Sequence, residues 1–180
     1  QKKTEKKKAP TLFNLAELQA ECSRLFKISP AETLDIAQSL YEKKLTTYPR
    51  TDARVVSSAV AAVIDKNVNG ISKITAYSDF VNSINASGSI RDTMQETRYV
   101  DDSKITDHYA IIPTGDISAL GQLDQVEKQV YDLICRRFLA IFYPTLDINK
   151  IAVLFGQNNE MFKTYANKIE NLGWKAVTGF

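Results

Sequence analysis

Hydrophobic residues change their period once along this 180-residue chain, and the change falls at Pro144. Before it, apolar residues recur every three or four positions, as one buried face of a helix requires. Leu15, Leu18, Cys22 and Leu25 form one such stripe, and Leu34, Ile36, Ala37 and Leu40 a second. The longest is Val126, Val130, Leu133, Ile134, Phe138 and Ile141. After Pro144 the repeat shortens to two. Leu146 and Ile148, then Ile151, Val153 and Phe155, alternate with their neighbours, and Met161 and Lys163 alternate with Phe162 and Thr164. Polar Gln157-Asn158-Asn159 lies between these runs as a turn, so the spacing predicts a β-hairpin, with Trp174 to Val177 as a third strand. Helices followed by strands make an α+β chain of two units, one mainly helical and one β-rich, that meet near residue 144.

Local signals sharpen the helical part. Asn14 with Glu17, and Ser29 with Glu32, are spaced as capping boxes, and Pro30 suits the first helical position. They predict helices over 15–26 and 30–43 joined by a tight turn. Leu45-Thr46-Thr47-Tyr48 reads as a brief strand that Pro49 stops, because proline offers no N–H for pairing. A third helix is expected within 57–67, capped by Ser57 or Asp52, and a weaker one over 77–86. Polar residues 87–106 read as an exposed loop, and His108 to Ile112 as a short strand ended by Pro113. The clearest helix, 123–142, keeps Arg136 and Arg137 off the centre of its apolar stripe, on a face read as solvated.

Composition excludes several classes. The chain is 44% hydrophobic and 24% charged, as ordinary globular domains are. No apolar run is long enough to span a bilayer, and the Lys-rich start lacks the apolar stretch of a secretory signal. Cys22 and Cys135 make neither a disulfide framework nor a zinc ribbon, and they sit on apolar stripes, as buried thiols do. The glycines form no phosphate loop. A reducing, cytoplasmic setting is the expectation. The net charge of +2 is uneven: residues 1–10 hold five lysines and one glutamate, so the rest carries −2. The lysine run reads as a solvated tail or linker, and any nucleic-acid contact by the remainder must be local. The first residue is Gln, and Gly173 to Val177 breaks off abruptly, so the sequence reads as an excerpt of a longer one.

The residues best suited to chemistry lie in Thr47-Tyr48-Pro49-Arg50-Thr51-Asp52. A phenol is a weak nucleophile at its ordinary pKa of about 10. A guanidinium two residues away favours the phenolate and can grip a phosphate through two hydrogen bonds. Tyr48 with Arg50 is therefore a unit suited to attack on a phosphodiester, with Thr51 as a hydroxyl donor and Asp52 orienting Arg50. The bland alternative is a plain turn with Tyr48 packed on the core. His108 is the only histidine; alone it builds no zinc site, but it can hold a phosphate beside Asp107, or simply sit half-buried in a strand. No Ser/His/Asp arrangement is present.

Four segments together resemble the type IA DNA topoisomerases, in their topoisomerase III branch. They are APTLFNLAELQ at 9–19, LYEKKLTTYPRTD at 40–52, DHYAIIPT at 107–114 and YDLICRRFLAIFYP at 131–144. The resemblance implies that Tyr48 attacks one DNA strand to leave a 5′-phosphotyrosyl link, that Arg50 contacts the scissile phosphate, and that His108 holds phosphate nearby. Thr51 and Asp52 join the implied DNA-binding set. Tyr109 departs from the pattern, standing where many topoisomerase III sequences have a second histidine. The implied fold places a winged-helix-like, helix-turn-helix-bearing gate domain at 11–143, part of a β hinge domain at 144–180, and a tail at 1–10. Mg²⁺ would be bound by a separate N-terminal domain and by nothing here, so this chain alone is expected to be inactive. Single-stranded or underwound DNA, a helicase partner, and a cytoplasmic, nucleoid-associated setting in a bacterium are further implications. A non-catalytic helix-turn-helix DNA-binding module is the main alternative. A tyrosine recombinase fits poorly, because His108 follows Tyr48 and lacks a neighbouring arginine; a partner-docking domain leaves the Tyr-Pro-Arg-Thr-Asp run without purpose.

Overall fold

The computed structural model describes residues 2–158 and 160–179, apart from the side chain of Lys2. Three helices frame the core: α1 (Leu15–Phe26), α2 (Pro30–Glu42) and, after four others described below, α7 (Gln125–Ala140). Asn14 and Ser29 cap α1 and α2 by accepting the amides of Glu17 and Glu32 (2.9 and 3.1 Å). Among the described residues a reciprocal capping box forms only at α7, between Asp124 and Glu127. On α7, Val130, Ile134 and Phe138 are fully buried, and they meet Leu18 and Leu40 in one core. Each such burial contributes roughly 1.5–3 kcal/mol. Cys22 and Cys135 are both buried free thiols.

The segment between α2 and α7 departs from its reading in three places. The single helix expected within 57–67 is two, α3 (Ser58–Ala61), capped by Ser57, and α4 (Ile64–Ile71). After α5 (Thr75–Ser87), the expected loop holds α6 (Ser89–Met94) and a 3-10 turn, Asp102–Lys104. Gly88 (φ 71°) turns the chain between α5 and α6 without ending helix formation, and buried Thr93 donates to the Ile141 carbonyl (3.2 Å), so α6 is docked. Finally, Leu45–Tyr48 and His108–Ile112 are not strands of a sheet; they meet other segments through single bridges, Thr46 with Pro113 and Phe13 with Ile111. Pro49 and Pro113 withhold the amides a longer ladder needs.

The sheet brings the largest corrections. β2 (Leu146–Gln157) and β3 (Glu160–Asn171) form the expected hairpin, although Asn159 of its turn lies outside the described residues. Lys2–Lys7, read as a solvated tail, is strand β1, antiparallel to β2 from Lys2 opposite Ile151 to Lys7 opposite Leu146. Backbone pairing needs no apolar side chain, and the ammonium groups are accommodated at the surface: Lys6 meets Asp147 (3.5 Å), and Glu5 accepts Lys150 (2.7 Å). The helical body is thus flanked by strands of one sheet. The strand expected over Trp174 to Val177 is instead α8 (Lys175–Thr178). Gly173 (φ 49°) makes the turn, where a Cβ would stand 2.1 Å from the Thr145 carbonyl oxygen, and Val177 is buried in the helical core.

Candidate active site

Tyr48 is placed by what precedes it. The chain leaves α2 through Lys44 in the left-handed region (φ 61°), and the Leu45 amide donates to the Leu40 carbonyl (3.0 Å) to close the turn. This end of α2 is clamped to the start of α7, because Glu127 accepts Lys43 Nζ (2.8 Å) and Ser39 Oγ (2.6 Å). Burial opposes ionisation of Glu127, but these bonds outweigh it and hold its pKa down at about 2.

Past the turn, residues 45–48 run beside 110–114, and Thr47 does most of the stitching. Its amide donates to the Ile112 carbonyl (3.0 Å). Its hydroxyl donates to the Ala110 carbonyl (2.9 Å) and accepts the Ile112 amide (3.0 Å). Two segments 60 residues apart in sequence are thereby registered, which sets the Tyr48 and His108 rings 4.3 Å apart between centroids, tilted by 44°. Tyr41, the penultimate residue of α2, meets Tyr48 edge to face at 5.2 Å. A cleft of about 330 Å³ opens beside these rings, lined by Tyr41, Lys44, Thr46, Tyr48, His108 and Thr114 among others.

The remaining predicted residues divide sharply. Arg50 is exposed and, among the described residues, makes no hydrogen bond or ion pair. Asp52, also exposed, does not orient it; the Asp52 carbonyl accepts Asn14 Nδ2 (3.1 Å) instead. Thr51 is buried and directs its hydroxyl to the His108 carbonyl (2.9 Å) while accepting the Ala53 amide (3.1 Å), so it fixes the His108 backbone from beneath. Asp107 makes no hydrogen bond to the His108 ring. Arg137 is not on a solvated face. Its guanidinium lies 4.0 Å from the Phe13 ring centroid and donates to the Thr11 carbonyl (3.1 Å), bracing the segment that bridges to Ile111. Arg136 pairs with Asp132 and donates to the Val177 carbonyl (2.8 Å).

Sequence reasoning gave Tyr41 and Thr47 no role in this site, although both lie in the segment 40–52. Thr47 carried a usable signal, a β-branched hydroxyl immediately before the tyrosine; Tyr41 carried none, because its approach depends on the left-handed turn at Lys44. Among the described residues no group of three or more His, Cys, Asp or Glu side chains is arranged to hold a metal ion.

The family described as DNA topoisomerase matches residues 1–180. The chain belongs to that family. It is 38% identical over 178 residues to DNA topoisomerase 3 of Bacillus subtilis (strain 168), covering 98% of this chain and 24% of that protein. It is likewise 38% identical over 181 residues to DNA topoisomerase 3 of Bacillus licheniformis, covering 99% of this chain and 24% of that one. These relatives mark it as type IA and topoisomerase III-like, and it spans about a quarter of their length. Full-length topoisomerase I from Thermotoga maritima shares the fold, with a TM-score of 0.69 and 22% identity over 100% of this chain and 29% of that one.

Proposed function

We propose that this topoisomerase segment carries the nucleophile of a strand-cleaving, strand-resealing reaction. The Tyr48 phenolic oxygen attacks a backbone phosphorus of single-stranded or underwound DNA. A phosphotyrosyl bond to the 5′ end forms as the bond to O3′ breaks, and the departing 3′ oxygen takes up a proton. Resealing is the reverse: the 3′ hydroxyl attacks the phosphotyrosine and returns the phenol. One ester replaces another at each stage, so the reaction needs no ATP. Negative charge grows on the non-bridging oxygens, and Arg50, exposed two residues from the nucleophile and unpaired among the described residues, is available to meet it. His108, alongside the Tyr48 ring, is proposed to hold a DNA phosphate. The observation that carries this reading is the Tyr48–His108 contact, which joins the two most specific motif segments at one surface.

Magnesium is proposed to bind elsewhere in a longer protein, where it would help neutralise phosphate charge. The 180-residue chain alone is accordingly expected to form no covalent adduct. Passage of a strand through the break, a helicase partner and work at the bacterial nucleoid belong to the same proposal. No helix among the described residues is long and apolar enough to cross a membrane.

The test is Tyr48→Phe in a longer enzyme that includes this segment. Cleavage of single-stranded DNA and trapping of a protein–DNA adduct should both disappear, with DNA affinity largely kept. Cleavage that persists would leave the helix-turn-helix binding module as the better account.

A further inference from the structure

We propose that the groove framed by α1, α7 and α8 docks a short acidic segment of a partner protein, with one apolar side chain seated against Leu25 and Leu133 and carboxylates set against Lys175, Arg24 and Arg136. The groove, of about 660 Å³, shares none of the described residues with the cleft at Tyr48, so this inference is independent of the nucleophile. It offers open apolar surface. Leu25, near the end of α1, is 43% exposed, and half-buried Leu133 and Trp174 line the same groove. Its charge is one-sided. Among the described residues four cations and two carboxylates line it, a net charge of +2 on a body that carries −2 beyond its first ten residues. Glu21 feels that field. The Arg24 hydrogen bond holds its carboxyl below the ordinary range against the opposing effect of burial, and the Arg137 and Lys175 charges add to the lowering.

The cations also have donors to spare. Lys175 makes no ion pair or side-chain hydrogen bond among the described residues. Arg24 commits Nε and Nη2 to Glu21, and Arg136 commits Nε to Asp132 and Nη1 to the Val177 carbonyl. Nη1 of Arg24 and Nη2 of Arg136 are left without a hydrogen bond among the described residues. A guanidinium carries five donor hydrogens, so each arginine can take a further carboxylate while keeping its own. A nucleic-acid strand fits worse. The Lys175 ammonium lies over the Trp174 ring, 5.1 Å from its centroid, where a base would stack, and Glu21 and Asp132 would repel a chain of phosphates. Carboxylates spaced along a peptide on either side of an apolar anchor meet the cations and avoid both conflicts.

The probe is a fluorescein-labelled hexapeptide with leucine and phenylalanine between paired glutamates, titrated into the 180-residue chain and followed by anisotropy and amide shifts. Binding should saturate, with shifts gathered at Leu25, Leu133 and Lys175. Serines in place of the leucine and phenylalanine, or lysines in place of the glutamates, should each weaken it about tenfold or more. Leu25→Ser and Lys175→Glu should each weaken binding of the parent peptide about tenfold with little change in melting temperature. Arg24→Glu combined with Lys175→Glu should reverse the preference, so that the lysine-flanked peptide binds better than the glutamate-flanked one. No saturation up to about a millimolar peptide, shifts that gather elsewhere, or variants that bind as the parent does would overturn the proposal. An oligothymidylate that displaces the peptide and is itself weakened by Lys175→Glu would overturn it in favour of nucleic acid. The same amide shifts growing with protein concentration alone would assign the groove to a second copy of the chain. Peptide binding by the 180-residue chain that is lost in a longer enzyme would assign it to that enzyme's own chain.

Discussion

Arg50 and Thr51 are neighbours in sequence with opposite duties. Arg50 is exposed and has no side-chain partner among the described residues, so its loss should not unfold anything. Arg50→Lys is expected to change stability by less than about 0.5 kcal/mol, as exposed substitutions do. It should nevertheless lower DNA cleavage by the longer enzyme about tenfold or more, because an ammonium cannot grip a phosphate with two parallel bonds. Melting temperature and adduct yield, measured on the same variant, check both halves; unimpaired cleavage would remove Arg50 from the site. Thr51 behaves the other way. Its buried hydroxyl bonds both the His108 carbonyl and the Ala53 amide, so Thr51→Val should cost about 1–2 kcal/mol in chemical denaturation, with Thr51→Ser recovering most of it. The meeting of Tyr48 with His108 was legible in the sequence because motif segments carry both residues. The task of Thr51 was not, since its partner is 57 residues away and only the fold brings it near.

At the scale of elements, the position of the His108 segment depends on two glycines, Gly70 and Gly115. Gly70 on α4 lies against Gly115, and a Cβ on Gly70 would stand 2.3 Å from the Gly115 carbonyl oxygen. Gly115 itself has φ +90°, where a side chain is strained, and a Cβ there would come 2.9 Å from the Lys66 carbonyl oxygen. Asn67, also on α4, donates to the Pro113 carbonyl (2.9 Å) between them. α4 therefore holds the 113–115 turn backbone to backbone. Gly70→Ala should push the turn away and destabilise the fold by about 2–3 kcal/mol, within the range of overpacking. Denaturation would read the loss, and amide shifts at Thr47, Ile112 and Thr114 would show whether the displacement reaches the site; wild-type stability and shifts would refute the contact. Capped, strongly periodic helices such as α1, α2 and α7 were readable because caps and stripes are local. β1, α6 and α8 were not. A lysine run looks solvated until a partner strand supplies its pairing, and the glycines before α6 and α8 read as breaks although each permits a turn directly into the next helix.

Across the whole molecule, the helices that carry the site are tied over a long sequence distance by one carboxylate. Glu127 joins Lys43 and Ser39 at the end of α2 to the first turn of α7, 84 residues further on from Lys43, and it also accepts the Asp124 amide (3.0 Å). Its pKa in the folded chain, about 2, lies below the ordinary glutamate value of about 4.3 expected once the chain unfolds. A group shifted downward by folding stabilises the native state fully above its unfolded pKa, and that contribution declines as pH falls toward the folded one. The window is therefore roughly pH 5 to 2, with stability falling as acid is added. Lys43 is one-quarter exposed, so solvent screening keeps the contribution to about 2 kcal/mol, below the full value of the shift. Glu127→Gln, which keeps much of the shape but cannot ionise, should be less stable than the parent at pH 7 and should lose less between pH 5 and 3. Urea midpoints at several pH values would show the two stability curves converging in acid. Parallel curves across that range would mean that the α2–α7 junction owes nothing to this charge, and the placement of Tyr48 would then depend on the apolar core and the Thr47 stitching alone.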